Sequence, residues 1–514
     1  MIKLKDFELR SYQKSIVKTG VENNLLVVLP TGLGKTAISM MLGLKRLNQF
    51  PNQKIILTAP TKPLCQQHFD TFLKHTTIED EEVVLLTGAI SPTKRIGLFE
   101  QAQIIIATPQ TLQSDLKAER ISFEDVVLLT IDEAHRAVAN YSYTGLAKEY
   151  TTNAQDPKIL ALTASPGSNL QKIKDICTNL FIQAIETRTE TDPDVAPYVQ
   201  QVKMKQEKVK LPESYKIIVD LIQAATQKRY EQLKSWGFIG KAQKNISKVQ
   251  LIQTQRKIQI HLGRGTRDPR YWVGISLVAQ CIKLSYMQEL IETQGAQPFL
   301  MYVNEIMDGA ITKKTKALRN LAEDQNVQAA WLKAKELQKN NTKHPKLIRL
   351  QSLIIDHLKQ NPEAKIIVFS SYRDTASEIV DNINRIYQNS AKLFVGQAKR
   401  RGVGLTQKEQ AQILEEFSKG EFNVLVGTSI TEEGIDIPKV DLVIFFEPIP
   451  SAIRSVQRRG RTARTAKGEV IILLTEKTRD EAYHWVAINK EKKMKALIAK
   501  LQQSLQSELQ QTLA

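Results

Sequence analysis

Short apolar runs recur along the first 200 residues, and polar stretches with helical spacing separate them. Nearly every position in these runs is apolar, as in strands that are buried on both faces of a parallel sheet. The alternation of such runs with helical stretches predicts an α/β domain with a doubly wound sheet. The predicted strands cover residues 25–29, 55–59, 83–86, 104–107, 126–131 and 159–162.

The pattern changes near residue 200, and apolar residues then recur at intervals of three and four as far as residue 341. This spacing predicts a module of several helices. Strand-like runs return afterwards and predict a second α/β domain, with strands over residues 365–370, 392–395, 424–426, 442–446 and 469–474. We therefore expect four units: α/β domains at 1–200 and 346–475, a helical insert at 201–345 and a helical tail at 476–514.

Composition narrows the class of protein. Of the 514 residues, 42% are hydrophobic and 25% are charged, which is typical of chains that bury a core. No apolar run reaches the roughly 18 residues that cross a bilayer, and residues 1–10 do not resemble a signal peptide. The three cysteines, Cys65, Cys177 and Cys281, are far apart and lack metal-type spacing. We expect a cytoplasmic protein with no membrane partner, disulfide scaffold or structural zinc site.

The charge balance points to a polyanionic partner. The chain has 72 Lys and Arg residues against 54 Asp and Glu residues, a net charge of +18. Residues 201–345 hold 25 of the basic and 12 of the acidic residues, so the helical insert carries most of the surplus. This concentration favours a binding face for nucleic acid, and the alternative is a basic surface that only contacts water.

A candidate phosphate-binding loop follows the first predicted strand. The sequence there is LPTGLGKT, residues 29–36, and an apolar helical run comes next. Gly32 and Gly34 let backbone N–H groups curl around phosphates, with Thr31 beside them, and a helix N-terminus adds positive charge. Lys35 would reach the β and γ phosphates of ATP, and the Thr36 hydroxyl would bind Mg²⁺. Leu29 stands where the strict motif has its first glycine.

Two adjacent carboxylates end the predicted strand 126–131. In an α/β sheet the carboxyl end of a buried strand is where an active site lies. Asp132 would hold Mg²⁺, usually through water, and Glu133 would orient and deprotonate the attacking water. His135 either couples the nucleotide site to the rest of the domain or serves as a cap.

The second α/β domain contains four arginines within residues 458–464. Unpaired arginines at this density repel one another, so an anionic ligand is a natural reason for them. The γ-phosphate held by the first domain would supply that charge, and closure of a cleft between the two domains would then complete the site. A basic patch that faces solvent or nucleic acid is the alternative.

Together these motifs resemble superfamily 2 helicases of the DEAH/DExH type, closest to the helicase part of archaeal Hef and the Fanconi anaemia group M translocase. Four longer strings carry the resemblance: FVGQA at 394–398, GLTQKEQ at 404–410, TSITEEGIDIP at 428–438 and AYHW at 482–485. The resemblance implies two RecA-like domains that use ATP and Mg²⁺, with a helical insert between them.

The resemblance also assigns roles to short segments. Arg10 and Gln13 match the adenine-recognising segment, Asp436 a residue near the ribose, and residues 163–165 a motif that couples hydrolysis to movement. Gln457 matches a position near the γ-phosphate, and Arg461 and Arg464 match the two arginine-finger positions. Segments that hold a nucleic-acid backbone are matched by Thr61, Lys62, Thr108, Pro109, Gln110, Ser370, Thr428 and Ser429.

The helical insert lies where Hef has a thumb-like module that grips duplex DNA. Arg264, Arg267 and Arg270 are the strongest candidates for that contact. Tyr271 and Trp272 either stack on a base or belong to the core. Ala463 replaces a glycine that is common in the family, and we find no nuclease motif near the C-terminus, so nuclease activity is not carried over.

We therefore predict an ATP-dependent DNA helicase or translocase that acts on forked or junction DNA, with a nuclease or repair partner possible in trans. The core motifs contact phosphates that DNA and RNA share, so an RNA-directed ATPase is the first alternative. A non-catalytic clamp on nucleic acid is the second alternative, against which the intact set of acids, Lys35 and arginines argues.

Overall fold

The computed structural model describes residues 2–6, 8–30, 32–167, 169–189, 192–198, 203–240, 246–312, 315–396, 404–428, 440–448, 469–486, 488–490, 492–494, 496–497 and 500. Within these ranges the chain forms two parallel sheets, with a helical insert that follows the first strand of the second sheet. No helix in the described ranges is long and apolar enough to cross a membrane.

The first sheet has seven parallel strands among the described residues, in the order β3-β4-β2-β5-β6-β1-β7. These are β1 (Leu25–Val28), β2 (Lys54–Thr58), β3 (Val83–Leu86), β4 (Ile104–Ala107), β5 (Val126–Ile131), β6 (Ile159–Thr163) and β7 (Ala184–Thr187). All residues of β1, β4, β5 and β6 are buried, as the apolar runs predict. The carboxyl ends of all seven strands lie at one edge of the sheet, where the site is expected.

Helices connect these strands and bury the two faces of the sheet in separate apolar clusters. They are α1 (Ser11–Glu22), α2 (Lys35–Gln49), α3 (Lys62–His75), α4 (Pro92–Gln101), α5 (Pro109–Lys117), α6 (Ser142–Asn153) and α7 (Leu170–Asn179). The first domain is thus the doubly wound fold that the sequence predicts.

The second sheet has six parallel strands in the described part of the chain, in the order β10-β11-β9-β12-β13-β8. These are β8 (Lys203–Val209), β9 (Ile366–Phe369), β10 (Ala391–Phe394), β11 (Val424–Gly427), β12 (Leu442–Phe445) and β13 (Glu469–Thr475). Its described helices are α14 (Pro345–Gln360), α15 (Arg373–Asn384) and α16 (Gln407–Lys419). The fold class is therefore α/β with two parallel-sheet domains, as predicted.

The helical insert contains α8 (Glu213–Ser235), α9 (Lys248–Gly263), α10 (Pro269–Thr293), α11 (Ala296–Ile311), α12 (Lys316–Ala322) and α13 (Gln325–Lys339). Two apolar clusters hold it together, one around α8, α10, α11 and α13 and another where α9 packs on α10. The insert therefore has a core of its own, separate from those of the two sheets.

Two strands differ from the sequence prediction. Strand β7 was not predicted, and residues 203–209, which the prediction placed in the insert, form β8 and pair with β13. Each strand is the last in its sheet, and β8 has the charged sequence KMKQEKV. Edge strands carry polar and charged residues because one side faces solvent, so they lack the apolar run of a central strand.

The end of the described chain returns to the first domain. Residues 479–486 are helical, and the prediction places the start of a helical tail in this stretch. Met494 is 3% exposed and lies in the core cluster of the first sheet, where its sulfur contacts the Ser165 hydroxyl. The polypeptide thus contacts the first domain again after it has completed the second.

Candidate nucleotide and nucleic-acid site

The candidate phosphate-binding loop lies between the end of β1 and the start of α2. Gly34 has φ +73°, a conformation that strains a residue with a side chain, and a Cβ at this position would collide with the amide nitrogen of Gln13 unless Gln13 moved. Lys35 opens α2, and its Nζ donates a hydrogen bond to the Leu29 carbonyl at 3.0 Å. The N-terminus of α2 faces the loop, which gives phosphate both backbone N–H groups and the positive end of a helix. Thr31 lies outside the described residues.

The segment assigned to adenine recognition contacts this loop directly. Gln13 is 1% exposed, and its Nε2 donates to the Leu33 carbonyl at 3.2 Å, while its Oε1 accepts from the Arg10 backbone N–H at 2.9 Å. The Tyr12 hydroxyl donates to the same Leu33 carbonyl at 2.7 Å. These bonds attach the start of α1 to the phosphate loop, so a base read by this segment would lie close to the phosphates.

Asp132 follows β5 and is 7% exposed. Its Oδ2 pairs with His68 Nε2 of α3 at 3.0 Å, and its Oδ1 accepts from the Glu133 backbone N–H at 2.9 Å. The Tyr143 hydroxyl donates to the Asp132 carbonyl at 2.8 Å. Contacts from three directions therefore fix both the backbone and the carboxylate of this residue.

The charge of Asp132 is maintained inside the protein. Burial acts to raise its pKa, but the hydrogen bond and charge of His68 and the charge of Lys35 outweigh burial and lower the pKa below its ordinary value. The carboxylate is therefore ionised at neutral pH, as a ligand of Mg²⁺ must be.

Glu133 is connected to the motif at residues 163–165. It adopts a left-handed conformation with φ 52°, and His135 Nδ1 lies 3.1 Å from Glu133 Oε2. The same imidazole nitrogen lies 3.2 Å from the Thr163 hydroxyl, which accepts from the Ser165 backbone N–H at 3.1 Å. The structure thus brings His135 between the candidate base and the predicted coupling motif, which supports the coupling role over a cap.

The protein oxygens present fit a magnesium ion that comes with a nucleotide. Mg²⁺ binds through one or two carboxylates together with phosphates and water. The buried carboxylate of Asp132 and the half-buried hydroxyl of Thr36 are donors of this kind. Among the described residues no group of three or more His, Cys, Asp or Glu side chains could hold a metal by itself.

The predicted nucleic-acid contacts divide by exposure. Lys62 and Gln110 are exposed and Thr61 is half-buried, each at the start of a helix that follows a strand. The side chains of the other four described members are buried: Thr108, Pro109, Ser370 and Thr428. These four side chains have little surface to offer to a nucleic acid, so the prediction needs correction at these positions.

The clearest correction concerns the loop after β9. Ser370 is fully buried, and its hydroxyl lies 3.2 Å from Glu447 Oε1, so it cannot reach a strand at the surface. Ser371 is the exposed neighbour and takes its place as the candidate contact.

A cavity of about 540 Å³ opens between the N-termini of α4 and α5. Gly88, Ser91 and Gln110 line it, and the buried pair Arg95–Asp115, with Nε and Oδ2 2.6 Å apart, stiffens its wall. Two helix N-termini that face one cavity favour an anionic ligand such as a backbone phosphate. Sequence reasoning missed Gly88 and Ser91, although Ser91 followed by a proline is typical of a helix start.

The insert presents a basic face, which we define as Lys248, Arg256, Lys257, Arg264, Arg267 and Arg270, all exposed. Residues 247–272 contain these six cations and one acidic residue, Asp268. Arg270 pairs with Asp268, with Nη2 and Oδ2 2.7 Å apart, so Arg264 and Arg267 contribute more of the net charge. Six cations on α9, α10 and the connection between them form the electrostatic surface that a phosphate backbone requires.

The two aromatic residues beside this face have different roles. Tyr271 packs against Phe238 and His261, with ring centroids 5.2 and 5.1 Å away, and belongs to the core of the insert. Trp272 is 64% exposed next to the basic face. Of the two alternatives open at the sequence level, packing therefore holds for Tyr271, and Trp272 remains available for stacking.

Several predicted site residues lie outside the described residues: Ser429, Asp436, Gln457, Arg461 and Arg464, and likewise Ala463. The two arginine fingers and the position near the ribose therefore stay predictions. His68 is the main site residue that sequence reasoning missed. The signal was its place with Cys65 and Phe72 on the buried face of α3, where a histidine needs a polar partner.

Comparisons with known families agree with this geometry. Residues 10–173 match the DEAD/DEAH box helicase family, and residues 345–466 match the conserved C-terminal domain of helicases. Residues 214–341 match a helical bundle described from ATP-dependent RNA helicases. The three matches follow the two α/β domains and the insert along the chain.

Individual proteins are similar over nearly the whole chain. The crystal structure of the Pyrococcus furiosus Hef helicase domain is 42% identical and has a TM-score of 0.72, covering 93% of this chain and 97% of that one. A protein of Methanocaldococcus jannaschii named as an ATP-dependent RNA helicase is 38% identical over 97% of this chain and 62% of its own length. The Neurospora crassa ATP-dependent DNA helicase mph1 is 34% identical over 93% of this chain and 42% of its own length.

The chain spans between 26% and 62% of the length of the curated relatives that it matches, among which is the Fanconi anemia group M protein homolog of Mus musculus. The match to the Hef helicase domain, in contrast, is end to end. The chain therefore belongs to the superfamily 2 DEAD/DEAH-box helicases, a family of ATP-hydrolysing enzymes, and within it stands close to Hef and the Fanconi anaemia group M helicases.

Proposed function

We propose that this chain is an ATP-driven DNA translocase or helicase that acts on branched duplexes such as forks. The observation that carries the proposal is the combination of a nucleotide site on the first domain with a basic face on the insert. ATP hydrolysis at the nucleotide site drives movement, and the basic face holds a duplex while that movement occurs.

In this mechanism Lys35 and the start of α2 bind the β and γ phosphates. Asp132 and Thr36 would hold Mg²⁺, which would supply positive charge against the charge that develops on the phosphates. Glu133 orients the attacking water and takes its proton. His135, which contacts both Glu133 and Thr163, transmits this change in protonation to Thr163. Gln457, Arg461 and Arg464 are proposed to complete the site from the second domain.

The nucleic-acid strand is proposed to follow the edge formed by Thr61, Lys62, Gln110 and the cavity beside α4, and then Ser371 of the second domain. These groups contact the backbone and position a strand without reading its sequence. The duplex part of a fork lies against the basic face, where Trp272 stacks at the junction.

Similar proteins support DNA as the substrate, because mph1 is named an ATP-dependent DNA helicase, as is the 30% identical relative fml1 of Schizosaccharomyces pombe. RNA is the second candidate, because the M. jannaschii relative and the helical-bundle family are named for RNA helicases. Since phosphates are common to both, only contacts with the 2′-hydroxyl would separate them. A nuclease or repair protein acting in trans remains part of the proposal.

Competition between substrates tests the choice. The rate of ATP hydrolysis is measured with forked DNA and with duplex RNA, each added separately at equal nucleotide concentration. Displacement of a labelled fork from the protein by unlabelled fork DNA or unlabelled duplex RNA is measured in parallel. We expect fork DNA to compete and duplex RNA to compete weakly. Stronger stimulation by duplex RNA than by any DNA would assign the protein to the RNA-directed class, and no stimulation by either would favour the clamp.

A further inference from the structure

A buried carboxylate lies at the end of β12, outside the nucleotide site. Glu447 is 5% exposed, and placing a carboxylate in the interior is costly unless hydrogen bonds compensate. Its Oε1 accepts from the Ser371 backbone N–H at 2.8 Å and from the Ser370 hydroxyl at 3.2 Å. One oxygen of Glu447 therefore holds the loop that carries the exposed Ser371.

The same oxygen is bonded to the insert. Gln294, the residue after α10, is fully buried, and its Nε2 donates to Glu447 Oε1 at 3.3 Å. Its own Oε1 accepts from the Thr375 hydroxyl of α15 at 2.8 Å. A single amide thus joins the insert to two elements of the second domain.

A second bond reinforces this junction. The Tyr372 hydroxyl, in the loop after β9, donates to Glu289 Oε1 of α10 at 2.9 Å. The last two turns of α10 therefore contact the loop after β9 through two independent side-chain routes.

Helix α10 links this junction to the basic face. It has 25 residues, so at 1.5 Å per residue it is about 37 Å long. Arg270 and the exposed Trp272 stand in its first turn, and Gln294 follows its last turn. One continuous helix therefore has the candidate duplex contacts at one end and the loop with Ser371 at the other.

We infer that Gln294 and Glu447 are positioning residues that hold the loop 370–372 at a fixed place relative to the basic face of the insert. A strand in contact with Ser371 and a duplex in contact with the basic face are then bound together rather than independently. The inference rests on the proposed function, because it assigns the two residues a part in nucleic-acid binding.

The test measures the concentration of forked DNA that gives half-maximal stimulation of ATP hydrolysis. Gln294→Leu removes the hydrogen bonds that join the insert to Glu447 and Thr375, and Glu447→Leu removes those that hold the loop. We expect either change to raise that concentration about 5- to 10-fold. Glu447→Gln keeps an oxygen that accepts the same bonds, and it should stay within about twofold of the wild-type value.

Gln280→Leu is the matched control. Gln280 is also a buried glutamine of α10, and its Oε1 accepts from Arg229 at 2.8 Å inside the insert, away from the loop. We expect Gln280→Leu to lower the free energy of unfolding by an amount comparable to Gln294→Leu and to leave the half-maximal DNA concentration unchanged. An equal rise in Gln280→Leu and Gln294→Leu would overturn the inference, because a general weakening of the insert would then explain both.

Two further outcomes separate the possible failures. If the leucine variants do not fold, Thr375→Val removes one hydroxyl from the same junction, and a half-maximal concentration equal to wild type would overturn the inference. If wild-type protein is not stimulated by any nucleic acid, the proposed function fails, and this inference fails with it. Normal stimulation with folded leucine variants that match wild type overturns the inference alone.

Discussion

Replacing Lys346 by methionine should destabilise the second domain strongly. Lys346 is fully buried at the start of α14, where its Nζ donates to Asp480 Oδ2 at 2.8 Å and to the Phe446 carbonyl at 2.9 Å. Asp480 is equally buried and also accepts from the Thr475 backbone N–H at 3.0 Å. This ion pair therefore joins α14 to the ends of β12 and β13.

The expected loss follows from what methionine leaves behind. Removing one partner of a buried ion pair typically costs about 3–5 kcal/mol, because the other charge remains without compensation. Lys346→Met leaves Asp480 in that position and also deprives the Phe446 carbonyl of its donor. The double variant Lys346→Met with Asp480→Leu removes both charges, and apolar replacement of a whole pair is often close to neutral. We therefore expect it to recover at least about 1.5 kcal/mol of the loss.

Urea unfolding provides the measurement. Because a chain with several domains need not unfold in one transition, the signal should come from the second domain alone. Hydrogen exchange at increasing urea, read by mass spectrometry on peptides that cover β12 and β13, reports this local transition. A loss below about 1 kcal/mol for Lys346→Met, or a double variant no better than the sum of the two single ones, would refute the reasoning.

Three other outcomes are expected. The double variant Arg264→Ala with Arg267→Ala should reduce the slope of log affinity for DNA against log salt by about 2, whereas Lys333→Ala, on another helix, should not change it. His68→Leu should raise the Mg²⁺ concentration for half-maximal ATP hydrolysis about 10-fold, because a residue that bonds a metal ligand orients that ligand. His68→Gln should raise this concentration less, and an unchanged Mg²⁺ titration in His68→Leu would contradict the expectation. Burial raises the pKa of Glu447 to about 7 from 4.5, so the contribution of its protonated form to stability is full below about pH 4.5 and is lost as pH rises through 7. Relative to Glu447→Gln, the wild-type free energy of unfolding should fall by roughly 3 kcal/mol between these pH values. Curves of unfolding free energy against pH that run parallel for the two proteins would contradict this expectation.

Central strands were predictable from the sequence because burial on both faces leaves an almost unbroken apolar run. The edge strands β7 and β8 were not, because a strand with one open side resembles a polar connection. Helix α10 was predictable from its spacing, but its length as one continuous element was visible only in the structure.

The candidate site divides in a similar way. The phosphate loop and the acids at 132–133 have local signatures, since glycine, lysine and a strand end are adjacent in sequence. The partner of Asp132 is 64 residues away, and the buried position of Ser370 depends on Glu447, 77 residues later. Contacts of this range follow from how elements pack, which no local pattern specifies.

The central proposal is that branched DNA stimulates ATP hydrolysis at the site of the first domain more than any other nucleic acid does. The most direct measurement is the ATPase rate of wild type, Lys35→Ala and Glu133→Gln, each alone and with forks, four-way junctions, plain duplex and duplex RNA. We predict slow hydrolysis by wild type alone, the largest stimulation with forked DNA, and no turnover by either variant. Wild-type rates that are equal across all nucleic acids, or hydrolysis that survives in either variant, would contradict the account.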